Sequence, residues 1–107
     1  MNANRQSRRQ KLEAFLSAHP ADAFARYGLA MECARVGDSD AAIGHFTHLI
    51  ESHPEYVSGY FQFGQFLSKL GRNEQARQTL AAGIAAAEDC GDGHAAGEMR
   101  LALQSLP

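Results

Sequence analysis

Apolar and small residues recur at three- and four-residue spacing along most of this chain. Ala42, Ile43, Phe46, Leu49 and Ile50 fall at i, i+1, i+4, i+7 and i+8, which is one face of a helix. Tyr60, Phe63, Gly64, Phe66, Leu67 and Leu70 form a second stripe, and Ala76, Leu80, Gly83, Ile84 and Ala87 a third. Phe24, Leu29, Ala30 and Cys33 offer an inward face before them, and Met99, Leu101, Leu103 and Leu106 another after them. Strands want β-branched residues in strict alternation. Here Val occurs only at Val36 and Val57, and Thr only at Thr47 and Thr79. Pro20, Gly37, Pro54, Gly71 and Gly91 punctuate the stripes. The pattern predicts six helices, over about 5–18, 22–36, 39–52, 56–70, 73–89 and 94–105. Gly37 and Gly71 suit the left-handed position just past a helix end. Asp38-Ser39 and Arg72-Asn73 then offer polar N-caps to the next helix.

The punctuation is periodic. His19-Pro20 recurs as His53-Pro54, 34 residues on, and Gly37 recurs as Gly71, Ala42 as Ala76 and Ile50 as Ile84. Phe46 corresponds to Leu80, and Ala30 to Gly64. Such a period means stacked units, each of two helices and a short turn. The expected fold is all-α, an α-α superhelix of stacked antiparallel helix pairs.

These residues resemble the tetratricopeptide repeat family, whose pattern is W-x2-L-G-x2-Y, then A-x3-F, then P. A first repeat, 23–56, matches at Leu29, Ala30, Ala42, Phe46 and Pro54, with Arg26 at the Trp position and Cys33 at the Tyr position. A second, 57–90, matches at Tyr60, Phe63, Gly64, Leu67, Ala76, Leu80 and Gly83, with Glu88 in place of the closing proline. The resemblance implies one helical-repeat domain over 1–107, as in a small two-repeat protein of bacterial type. It comprises a half-repeat at 5–20 with Leu12 and Phe15 inward, the two repeats, and a capping helix at 94–105.

Length, at 107 residues, suits a single domain, and an apolar fraction of 45% with 21% charged residues is a globular balance. A net charge of -2 gives no bulk electrostatic reason to expect nucleic acid or an anionic membrane. No apolar run is long enough to span a bilayer, and the polar N-terminus has no secretory h-region. Cys33 and Cys90 are too few for a disulfide framework, so a reducing, cytoplasmic setting is expected.

Candidate chemistry is sparse. His45 and His48 share a helical face at i, i+3, but a zinc site needs three or four tethered ligands, and Glu51 is the nearest acid. A small His-based metal protein is therefore only the third reading. Glu88, Asp89 and Asp92 lack the ligand spacing of a calcium loop. Arg5, Arg8, Arg9 and Lys11 form a basic run that reads as a frayed, solvated helix start. No nucleophile motif or Gly-rich phosphate loop occurs, so no enzyme activity, metal or cofactor is expected.

The resemblance points instead to a surface. In that family one face of each first helix lines a concave groove. Carried over, the face is Phe24, Tyr27, Met31 and Ala34 in the first repeat, and Ser58, Phe61, Gln65 and Ser68 in the second. Ala95 and Met99 on the last helix extend it. The family's clamp for a C-terminal carboxylate needs Lys, Asn and Arg at such positions, and they are absent. The expected function is a protein–protein interaction module that holds a helix or peptide on Phe24, Tyr27, Met31, Phe61, Gln65 and Met99. The alternative is a structural homodimer or accessory subunit that uses the groove as a self-interface.

Overall fold

A computed structural model describes residues 6–107 of the chain. Among the described residues lie six helices and no strand: α1 (Arg8–Ala18), α2 (Ala23–Arg35), α3 (Ser39–Ser52), α4 (Val57–Lys69), α5 (Asn73–Asp89) and α6 (Gly93–Gln104). This is the expected all-α helical-repeat fold. Helices α2 and α4 start and stop 34 residues apart, as do the starts of α3 and α5. The helices gather into two compact units, one ending at Ser52 and the other spanning His53–Pro107. In the first unit α2 packs against both α1 and α3. In the second, α5 packs against α4 and α6, and α4 also touches α6.

Local chemistry sets the turns. Gly37 and Gly71 have φ of 84° and 78°, a region that costs a side chain strain. Each closes a helix with a paired hydrogen-bond motif: Asp38 N–H donates to Cys33 O, and Arg72 N–H to Leu67 O, at 3.0 and 2.9 Å. The same motif ends α5, where Asp92 N–H donates to Ala87 O at 2.8 Å beside Gly91. The proline turns repeat as well. Asp22 N–H donates to His19 O and Tyr56 N–H to His53 O, at 3.1 and 2.9 Å. Arg26 and Tyr60 occupy equivalent places, and both reach the preceding proline carbonyl: Arg26 Nη2 to Pro20 O at 3.3 Å, Tyr60 Oη to Pro54 O at 2.8 Å. A guanidinium thus does the anchoring work of an aromatic hydroxyl, which explains how Arg26 is accommodated at that position.

Two capping expectations need correction. Asp38 does cap α3, accepting from Ala41 N–H at 3.3 Å, but Arg72 makes no side-chain cap to α5. A cationic donor has no acceptor to offer the exposed N–H groups of a helix start. The beginning of α1 is not frayed. Ser7 Oγ accepts from Gln10 N–H at 3.1 Å, and Gln10 Oε1 accepts from Ser7 N–H at 2.9 Å. Arg5 lies outside the described residues.

The first unit buries Leu16, Leu29, Ala30, Cys33, Ala42, Phe46 and Leu49, and the second buries Tyr60, Phe63, Leu67, Ala76, Leu80 and Met99. Small residues permit this packing. A Cβ on Gly64 would lie 2.6 Å from Leu80, and one on Gly83 would lie 2.6 Å from both Met99 Sδ and Tyr60 Cβ. The inward assignments of Phe15 and Phe24 fail: they are 44% and 75% exposed, and Leu16 takes the buried position on α1. Within the first unit α1 packs on α2 alone, so only a narrow stripe of α1 finds a neighbour.

Candidate partner-binding site

The displaced apolar residues meet in one place. A hollow of about 490 Å³ opens along α1 and α2, within the first unit. Leu12 and Phe15 supply its α1 side; Phe24, Tyr27 and Met31 supply its α2 side. Gly28 forms part of the floor, and Leu12 Cδ2 sits 3.6 Å from where a Cβ on Gly28 would be. Arg8 and Asp22 also border the hollow.

The two helices are held in register by charge and by the turn between them. Asp22 caps α2, accepting from Ala25 N–H at 2.8 Å, directly after the His19 turn that reverses the chain. Arg9 Nη1 donates to Asp38 Oδ2 at 2.9 Å, tying α1 to the turn after α2. Arg8 Nε stands 3.9 Å from the buried carboxylate of Glu32, which also accepts from Arg35 Nε at 2.9 Å. The Arg35 hydrogen bonds, with Arg8 and Arg35 charge in support, hold the Glu32 carboxyl below its usual range against the opposing effect of burial. Arg9's hydrogen bond and that of Ala41 N–H lower Asp38 likewise. Arg9, expected in a solvated basic run, is instead half-buried and braces α1 against the turn after α2, whereas Arg8 and Lys11 are exposed as expected.

The predicted site residues are shared between the two units. Phe24, Tyr27 and Met31 share the α1–α2 hollow. Tyr27 is half-buried, and that burial raises its phenol above the ordinary value. Gln65 instead lines a second hollow, about 430 Å³, with Ser68, Lys69, Leu106 and part of α6. Phe61 is half-buried on α4 and borders neither of these two hollows. Met99 is fully buried beside Gly83, so it has no surface to give a partner. Its spacing on α6 suits either face of the helix, and packing against α5 takes it inward. Leu12, Phe15 and Gly28 were missed as lining residues. The only sequence signal for them is the i, i+3 pair Leu12 and Phe15, which reads equally well as core.

The histidine pair does not assemble a metal centre. Arg26 Nη1 lies 3.2 Å from His45 Nδ1, and a guanidinium there repels a metal cation. Burial, then the Arg26 charge, lowers His45 below its ordinary value, which favours the neutral ring. A guanidinium can only donate, so Nδ1 is the acceptor in this contact. His48 is exposed. Among the described residues no three His, Cys, Asp or Glu side chains gather where a metal ion could sit. Cys33 is buried and its thiol is raised by that burial, whereas Cys90 is exposed. Among the described residues no helix is long and apolar enough to cross a membrane.

Comparison with known proteins agrees with the repeat geometry. A model of the tetratricopeptide repeat matches residues 34–98, more than half of the chain. A TPR repeat-containing protein of Pseudomonas aeruginosa, PA0015, is 32% identical over 95 residues, spanning 89% of this chain and 90% of that protein. The solution structure of a tetratricopeptide repeat domain protein from Salinibacter ruber aligns with a TM-score of 0.75 at 33% identity, covering 79% of this chain and 86% of that one. The solution structure of protein BPP2914 from Bordetella parapertussis aligns with a TM-score of 0.78 at 28% identity, covering 94% of this chain and 87% of that one. The 34-residue register, the paired glycine and proline turns, and these likenesses place the chain in the tetratricopeptide repeat family.

Proposed function

We propose that this chain is a non-catalytic protein-interaction module whose binding surface is the hollow between α1 and α2. Tetratricopeptide repeat domains generally serve protein–protein interaction, which is the coarse function that membership carries. One observation supports the finer reading. Three large apolar side chains with substantial exposure, Phe15, Phe24 and Met31, border the same hollow. Scattered apolar residues on a surface need no explanation, whereas a contiguous set marks a place that another molecule covers. The aromatic and Met lining, open along two helices, suits an apolar helical segment of a protein, with Phe24 and Tyr27 as anchors. The ordered thiols Cys33 and Cys90 are unpaired, which fits the cytoplasmic setting this reading assigns.

The test is photo-crosslinking in the native host. A photoreactive phenylalanine analogue at position 24 is expected to yield discrete protein adducts. The same analogue at Asp40, an exposed position on α3, should yield none of them. Equal adducts from the two positions, or none from position 24, would overturn the assignment of this hollow.

A further inference from the structure

From the charge at its two ends, we infer that the occupant of the α1–α2 hollow is a second copy of the same chain, docked antiparallel about a two-fold axis. The inference rests on the hollow being a binding surface, and it adds the identity of the partner. Helix α1 has 11 residues, about 16 Å at 1.5 Å per residue, and Arg8 is its first residue. Asp22 sits at the opposite end, past the C-terminus of α1, where it caps α2. Arg8 lies alongside Glu32, near the far end of α2 from Asp22. The hollow therefore carries a cation at one end and an anion at the other.

A two-fold axis through the middle of the hollow, near Gly28, reverses this order in the second copy. Arg8 of each copy then faces Asp22 of the other, so both end contacts are attractive. A parallel arrangement would set like charges together. The apolar relief follows the same symmetry. Phe24 projects at the Asp22 end, with three-quarters of its surface exposed, and Met31 lies two turns further along α2 at the Arg8 end. Under the two-fold, Phe24 of each copy covers Met31 and Leu12 of the other. A ring on a thioether side chain is a favourable contact. A self-complementary patch of this kind is what a closed two-fold interface requires. Two helix faces make a small interface beside the roughly 1,200–2,000 Å² of stable complexes, so association is expected in the micromolar range.

Sedimentation velocity of the full chain, from roughly 5 to 500 µM, is expected to show monomer passing into dimer. Phe24→Ser should shift that transition at least ten-fold, with an unchanged thermal midpoint, measured at concentrations where the chain is monomeric, as the check on folding. Phe24→Trp introduces the chain's single tryptophan, since the natural sequence has none. Its emission should move to shorter wavelength as dimer forms. Asp22→Asn keeps a capping side chain but removes the charge, and should weaken association a few-fold, as should added salt. A chain that stays monomeric overturns self-pairing. So does a dimer insensitive to Phe24→Ser or silent in tryptophan emission. A dimer indifferent to both Asp22→Asn and salt overturns the antiparallel register. Adducts from position 24 to a different protein, with a monomeric chain, would keep the hollow as a binding surface while removing the second copy as its occupant.

Discussion

Side chains of the same type have opposite fates in this molecule. Phe46 and Phe24 each sit on a helix with an apolar stripe, yet Phe46 has no exposed surface and Phe24 is 75% exposed. Truncating Phe46 to Ala removes a buried ring and leaves a cavity, which should cost about 3–5 kcal/mol. Phe24→Ala should change stability by no more than about 0.5 kcal/mol, measured where the chain is monomeric. Urea unfolding of the two variants separates them, since the midpoint should fall sharply for one and hold for the other. Equal losses would mean that Phe24 is core. Arg26 shows what residue-level reading from a family pattern overlooks. It stands where an aromatic is expected, and the carbonyl of Pro20 accepts from it as that of Pro54 accepts from Tyr60. The equivalence was hidden because a pattern records residue type and not the hydrogen bond served.

Elements in this fold are bounded and spaced by glycine, for three different physical reasons. Gly37 holds φ at 84°, so Gly37→Ala should cost about 1–2 kcal/mol from backbone strain alone. Gly64 lies in ordinary helix, but a Cβ there would come within 2.6 Å of Leu80, so Gly64→Leu should overpack α4 against α5 and cost about 1–3 kcal/mol. Gly44 is helical, exposed and has open space around its Cβ direction. Gly44→Ala should therefore stabilise α3 by about 0.5–1 kcal/mol, through backbone entropy. Thermal melts of the three variants should give two decreases and one increase. An increase for Gly64→Leu would show that the α4–α5 approach is looser than described. The helix limits were legible from sequence within a few residues because their stops are local. The capping box of Ser7 and Gln10 is equally local, an S-x-x-Q signature set around two arginines.

For the molecule as a whole, pH links these details to stability. His45 titrates below its ordinary value of 6.5 because of burial and the Arg26 guanidinium. In the window between the lowered value and 6.5 the unfolded chain binds more protons than the folded one, so stability falls as pH drops through it. Glu32 and Asp38 are held below 4.5 and 3.8 by Arg35 and Arg9. Their contribution is complete above those values and is lost as pH falls further. The thermal midpoint should therefore decline in two stages on acidification. His45→Gln, which keeps an acceptor for Arg26, should flatten the first stage and leave the second. A variant whose profile overlays the parent would assign the first stage to another group.

What the amino-acid sequence determined by itself is what depends on neighbours along the chain. Periodicity near 3.6, glycines suited to left-handed backbone and prolines after helix ends act over a few residues. They specify six helices and a 34-residue repeat without reference to anything distant. Which apolar residues stay open was decided only by tertiary structure. Phe15 carries no mark that separates it from Leu16, and only the family register, not the local apolar pattern, sets Phe24 and Met31 apart from Leu29 and Phe46. Burial depends on whether another helix lies over a given face. Within the first unit α2 has helices on two sides and α1 on one, so the hollow opens where that cover ends. The same reasoning accounts for Met99, whose helix turns it toward Gly83, where the missing side chain leaves room for it.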